Sequence, residues 1–304
     1  MSAVREFLAS ALARRAPLFG AKSTSWLEAE ARAIADGVDD ARFATAISTA
    51  SRHVPRGPLA PAPNEIAQAF DLVEGWNPER WTLLEAARVV LLLSRRDLSE
   101  ASAVSAIEEA FRYADMGELC ALYKSLALLP KAERFVWRAG EGCRSSMRAV
   151  YEAAACDTPF PVKHFDDLAW RQLVIKALFV EAPLWRVYGL DTRLDAELAR
   201  MALDLAEERR AAGRDVQHEL WLTLGKVSGE RGLRSIEREL AGKNPRGRRA
   251  AAIALARAGE VARLAELCQK EKDPIVAESM RSALKGRVHS SVYRDLDPAT
   301  AKSN

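Results

Sequence analysis

Apolar residues recur at three- and four-residue spacing along almost the whole chain, and no stretch alternates as a strand would. Val4, Phe7, Leu8 and Leu12 fall on one side of a first helix. Thr24 to Ala35, capped at Ser23 or Thr24, buries Trp26, Leu27 and Ile34, and a short helix with Phe43 and Ile47 follows. His53 to Pro63 then holds four prolines and a glycine, which marks it as a linker. Asn64 caps a helix carrying Ile66, Phe70 and Val73. Asn77-Pro78 opens the next, an amide cap followed by a proline where its missing N–H does no harm. That helix runs through WTLLEAARVVLLLS to Ser94. Asp97 to Arg112 and Asp115 to Leu129 form a pair joined by a very short turn, which predicts antiparallel neighbours.

The pattern changes between Tyr113 and Val180. Three helical segments lie there, broken at Pro130 and at Thr158-Pro159-Phe160-Pro161. The last, Phe165 to Val180, is apolar almost all the way round, through Leu168, Trp170, Leu173, Val174, Ile175, Ala177, Leu178 and Phe179. Such a helix belongs inside a protein. It nevertheless carries Arg171, Gln172 and Lys176, and a lysine is rarely buried without a partner. Upstream, Glu141, Arg144, Arg148 and Glu152 follow one another at i+3 and i+4 spacing, a mixed-charge ladder along one helix. Lysine and ladder together suggest the wall of a polar pocket, against the plainer reading of a solvated face. Gly140 and Gly142 mark a helix break or the close approach of a neighbour. Beyond the central helix, Trp185 and Tyr188 sit in a Pro- and Gly-containing connection and are candidates for ligand contact. A long helix from about Asp195 to Ala212, stopped by Gly213, and another from Gln217 to Val227 follow.

The C-terminal part repeats itself. Asn244-Pro245 leads to Ala254-Leu255, and Asp273-Pro274 leads at the same offset to Ala283-Leu284, a displacement of 29 residues. A cap, a proline in the first turn and a small apolar inner face describe one helix of a stacked hairpin. The expected fold is therefore all-α, an α-solenoid of stacked helical hairpins with HEAT-like repeats at the C-terminal end. The expected divisions are an N-terminal helical segment (1–54), a helical core (64–228), the repeats (229–287) and a flexible tail (288–304).

Composition narrows the chemistry. With 45 Lys+Arg against 42 Asp+Glu in 304 residues, the net charge of +3 gives no general attraction to nucleic acid. Nine basic residues against three acidic ones between Arg231 and Arg263 are read as a solvated face, so no nucleic-acid partner is expected. The four cysteines and four histidines are scattered, with no C-x-x-C pair and no metal-ligand spacing, which suits free thiols in a reducing compartment and no metal. No phosphate loop, G-x-S-x-G elbow, H-E-x-x-H pair or dinucleotide fingerprint is present, so no cofactor and no catalytic residue is assigned. Asp166 and Asp167 fit the first turn of a helix better than an acid–base pair. No apolar run reaches the ~18–20 residues of a membrane span, and the first helix is amphipathic, so a cytoplasmic location is expected.

Three phrases in order, YADMGELCALYKSLALLP, RAGEGCRSSMRAVYEAAA and HFDDLAWRQLVIKALFVEAPLWRVYGLD with the following LARMALDLAEERRAAGR, resemble the EboA family over roughly Leu83 to Trp221. The resemblance implies a bacterial helical protein from a gene cluster that traffics a secondary metabolite or its precursor. That cluster includes a prenyltransferase-like membrane protein, a TatD-like hydrolase and sugar-phosphate-isomerase-like proteins. It brings no catalytic residues with it. The expectation is a non-enzymatic adaptor whose partners are proteins of that cluster and a small metabolite. The ligand-binding candidates are Glu141, Arg144, Arg148, Trp170, Gln172, Lys176, Trp185 and Tyr188. The alternative is a metabolite-modifying enzyme that uses a carboxylate or Lys176 in a helical pocket.

Overall fold

A computed structural model describes residues 3–296, and the chain divides into two units, Met1–Phe165 and Asp166–Asn304. The chain is all-α. Among the described residues no strand forms, and the single extended pairing is an antiparallel bridge between Pro58 and Thr82.

The first unit contains α1 (Ala3–Arg14), α2 (Gly20–Gly37), α3 (Asp40–Thr49), α4 (Pro63–Leu72) and α5 (Leu83–Leu93). It continues with α6 (Ala101–Tyr113), α7 (Met116–Ser125), α8 (Val136–Arg144), α9 (Arg148–Ala155) and the short α10 (Phe160–His164). Its centre is α5. Every residue of that helix except Glu85 is buried, and α1, α2, α3 and α7 all pack on it. The sequence LLEAARVVLLL explains this, because its two charged groups are both answered. Glu85 completes a capping box with Thr82, whose hydroxyl accepts from the Glu85 N–H at 3.1 Å while the carboxylate accepts from the Thr82 N–H at 2.7 Å. Lys124 then pairs with the other carboxylate oxygen at 2.7 Å. Arg88 donates to the Ile47 carbonyl at 3.1 Å and faces Glu118 at 3.4 Å, so a buried charge is held by a partner on α7.

The proline-rich span read as a linker is stitched onto this unit. Leu59 is fully buried and its N–H donates to the Trp81 carbonyl, while the Leu83 N–H donates to the Gly57 carbonyl, both at 2.8 Å. Proline fixes an extended backbone, and extended backbone still pairs wherever a neighbouring residue keeps its N–H. Gly142 shows the close approach its sequence context suggests. A Cβ there would lie 2.6 Å from the Tyr123 ring and 2.7 Å from the Ala154 methyl, so α8 meets α7 and α9 through an absent side chain. Gly142→Ala should therefore lower the thermal midpoint despite alanine's better helix propensity. The overpacking cost of about 1–3 kcal/mol exceeds the ~1 kcal/mol propensity gain, and a melting curve checks it.

The second unit holds α11 (Asp167–Val180), α12 (Ala196–Ala211), a 3₁₀ segment His218–Thr223, α13 (Gly229–Leu240), α14 (Pro245–Arg257), α15 (Val261–Lys270), α16 (Pro274–Leu284) and α17 (Val292–Leu296). Its hub is α14, which packs on the 3₁₀ segment, α13, α15, α16 and α17 and buries every residue from Arg249 to Leu255. Both Asx-Pro starts form as expected. The Asn244 side chain accepts from the Arg246 and Gly247 N–H groups, and Asp273 accepts from Ile275 and Val276. The helix expected over 217–227 is instead two 3₁₀ turns, His218–Thr223 and Lys226–Ser228, separated by Gly225 with φ at +159°. Residues 288–296, read from sequence as the start of a flexible tail, are held down: Tyr293 is fully buried, and its hydroxyl donates to the Arg246 carbonyl at 2.9 Å. The remainder of that expected tail, 297–304, lies outside the described residues.

The helix expected to be buried all round is only half buried. Trp170, Leu173, Val174, Ala177 and Leu178 face the core of the second unit, but Leu168 and Phe179 stay more than half exposed. Periodicity counts apolar residues without knowing how many neighbours will arrive. Of the two strongly apolar helices, α5 is the one wrapped on all sides.

Candidate functional site

An apolar opening in the first unit lies between α1 and α2, with α5 as its floor. Both helices pack on α5 and barely touch one another. The α1 wall is Arg5, Ala9, Leu12 and Ala13, spaced at i, i+4, i+7 and i+8. The α2 wall is Thr24, Leu27, Glu28, Ala31, Arg32 and Ala35, again one helical face. Val90 of α5 forms the floor and Phe19 closes the end at the α1–α2 turn. Ala9, Ala13, Ala31 and Ala35 line the gap, and each presents only a methyl where a larger side chain would fill the space. Its volume is about 370 Å³, within the roughly 300–1,000 Å³ of small-molecule sites.

The walls are fixed by polar contacts. At the C-terminal end of α1, Arg14 and Arg15 converge on Glu65 in the first turn of α4. Arg14 Nε donates at 2.8 Å and Arg15 at 2.6 and 3.1 Å. Arg15 also donates to the carbonyls of Leu59 and, at 2.8 Å, Ala60. These bonds, led by Arg15, hold the Glu65 carboxyl down at a pKa of about 2. At the other end of α1, Arg5 donates to the Ser94 hydroxyl at 3.3 Å, joining the wall to the end of α5. The Thr24 hydroxyl is turned to its own helix, donating to the Gly20 carbonyl at 3.2 Å. Arg32 and Glu28 are exposed.

The residues nominated from sequence lie elsewhere, in two groups. Glu141, Arg144 and Arg148 belong to the first unit, but the ladder is interrupted. α8 ends at Arg144, Ser145 accepts from the Met147 N–H at 3.1 Å in a tight turn, and α9 begins at Arg148. Glu141 pairs with Arg144 inside α8, and Arg148 with Glu152 at 2.7 Å inside α9. Three of these four side chains are exposed, and the fourth, Glu152, is half-buried. Such local exposed pairs contribute about 0.3–0.5 kcal/mol each.

Trp170, Gln172, Lys176, Trp185 and Tyr188 belong to the second unit. Trp170 is buried, with its indole N–H on the Arg193 carbonyl at 3.2 Å and the Arg193 guanidinium 4.9 Å above its ring, so its contacts are those of a core residue. Gln172 is exposed, and Lys176 is half-buried on the same helix. Trp185 is half-buried and donates its backbone N–H to Glu219 at 3.2 Å, while Arg294 lies 5.9 Å from its ring. Tyr188 is half-buried. Asp166 is the N-cap of α11, accepting from the Ala169 N–H at 2.7 Å, and Asp167 pairs with Arg193.

Burial pushes the Cys120 thiol up to about 11 and the Cys143 thiol up to about 12, so neither gives a thiolate near neutral pH. Among the described residues no three His, Cys, Asp or Glu side chains gather as a metal site. None of their helices is long and apolar enough to cross a membrane. What the α1–α2 cleft can do is enclose an apolar molecule. Its only trace in the sequence is the i, i+4 alanine pairs on two helices, which neither charge nor motif singles out.

No curated protein and no solved structure matches the chain. A family model described as metabolite traffic protein EboA matches residues 4–225, a span that takes in both walls of the cleft and its floor. The chain is thus a member of the EboA family of metabolite traffic proteins.

Proposed function

We propose that the protein serves metabolite traffic as a non-enzymatic cytoplasmic adaptor. It holds a small metabolite without changing it and presents helical surface to other proteins of the same pathway, a prenyltransferase-like membrane protein among them. The observation that carries this reading is the cleft between α1 and α2: apolar, of small-molecule size, and lined by no nucleophile or metal-ligand cluster. Glu141, Arg144, Arg148 and Gln172 are exposed and are assigned to partner contact. The α13–α16 region, 229–287, is read as HEAT-like hairpins stacked on one another. That reading is supported by the paired Asx-Pro caps and by α14 packing on both α13 and α16.

The test is affinity capture of the full chain from a producing strain, with mass spectrometry of both proteins and small molecules in the eluate. Recovery of cluster proteins together with an unmodified metabolite is expected. Ala31→Leu should lose the metabolite and keep the proteins, because it fills the cleft from one wall. A captured metabolite that is chemically converted on incubation with the protein would overturn the non-enzymatic reading.

A further inference from the structure

The distribution of charge inside the cleft says more than its size. The turn between α1 and α2 is short, a 3₁₀ turn Ala16–Leu18 followed by Phe19. Ala13 and Thr24 therefore mark the closed end, with Phe19 beside them. Arg5 lies eight residues before Ala13 and Arg32 eight residues after Thr24, so each stands roughly 12 Å from the turn at 1.5 Å rise per residue. The two cations of the lining thus share the open end, while the closed end is apolar. Arg5 donates to the Ser94 hydroxyl at 3.3 Å. Arg32 makes no hydrogen bond or ion pair with any described residue. Glu28, one turn nearer the closed end than Arg32, is the one carboxylate of the lining.

We propose that the cleft takes an amphipathic organic monoanion. Its apolar body lies between the alanine walls toward Phe19, and its single carboxylate or equivalent group sits at the open end between Arg5 and Arg32. A planar anion suits the fork of a guanidinium. Glu28 sets a limit on the ligand: a second negative group along the body meets a like charge, so polyanions are excluded. This rests on the reading of the cleft as the metabolite site and adds the chemical class that it selects.

The experiment is a fluorescence titration of the full chain with two probes of similar ring system. One is the anion 8-anilinonaphthalene-1-sulfonate, and the other is the neutral N-phenyl-1-naphthylamine. Both are expected to bind, the anion more tightly, and Ala31→Leu is expected to abolish both. The ratio of the two affinities should fall about five- to tenfold in Arg32→Gln and further in the Arg5→Gln/Arg32→Gln double variant, with far-UV circular dichroism unchanged in both and thermal melting unchanged in Arg32→Gln. Added decanoate should displace the anionic probe, and decanol should displace it less well.

The outcomes separate the two ideas. Binding of neither probe, or binding that survives Ala31→Leu, overturns the cleft as a ligand site. Binding of both probes through the cleft, with a ratio insensitive to the arginine substitutions, overturns the anion alone and leaves the cleft standing.

Discussion

Arg257→Met is expected to destabilise the second unit by about 3–5 kcal/mol, the cost of leaving one member of a buried charge pair alone. Arg257 sits at the end of α14 and its guanidinium is nearly enclosed. It donates to the Leu222 carbonyl at 2.6 Å and the Val288 carbonyl at 2.7 Å, and pairs with Asp191. Burial pushes its pKa down and Asp191 opposes that, so the group stays charged. Asp191 in turn accepts from the Ser290 N–H at 2.9 Å and from the Ser290 hydroxyl, with His289 Nε2 at 3.1 Å. One side chain thus ties three non-adjacent segments to α14. Methionine fills much the same volume and supplies none of the donors. Two carbonyls and a mostly buried carboxylate would be left short of partners, each at a cost of about 1–3 kcal/mol. Urea unfolding followed through Trp221, which is fully buried on the same unit, measures the loss. A shift of less than 1 kcal/mol would show that water replaces the guanidinium without penalty.

Glu65→Gln is expected to cost the first unit on the order of 2–3 kcal/mol at neutral pH and to flatten its stability in acid. The folded Glu65 pKa is about 2, against an ordinary value of 4.5, mainly because Arg15 hydrogen-bonds the carboxylate. A carboxyl whose pKa is lowered by folding stabilises the native state fully above its unfolded pKa. The contribution fades as pH falls from about 5 toward 2. Arg14 is half exposed, so its share is screened and the lower end of the range is the better expectation. Flattening should be partial. Asp97 is also held down to about 2, by Arg95 first, and it continues to titrate in the variant. Denaturation between pH 2 and 7, read through Trp76 where it meets Phe7 of α1 at 5.5 Å, follows the region concerned. An unchanged acid limb in Glu65→Gln would assign the acid sensitivity elsewhere.

Much of the fold could be read from the chain because helix signals are local. Asn244 and Asp273 each cap the helix their context suggests, and Gly213, with φ at +67°, ends α12, whereas Asn77 caps only the 3₁₀ turn Pro78–Arg80 and Thr82 caps α5. The centre of the first unit was harder to see. LLEAARVVLLL and the Leu168–Phe179 run are both apolar round the helix, and only tertiary packing decides that α5 is enclosed while α11 keeps an open side. The mixed-charge ladder failed for a local reason: Ser145 turns the chain between Arg144 and Arg148. The cleft is not legible in the sequence because alanine marks a helix former as readily as empty space, and its two walls stand side by side only once both pack on α5.

Those four alanines set the size of the cleft. The hollow comes from missing atoms on straight helices, not from a kink or a specialised loop. Exchanging one methyl for a valine or a serine would alter the volume and polarity of the hollow without touching the contacts at Glu65, Ser94 and Thr82. The size of the hollow and the contacts that hold its walls are thereby set by different residues.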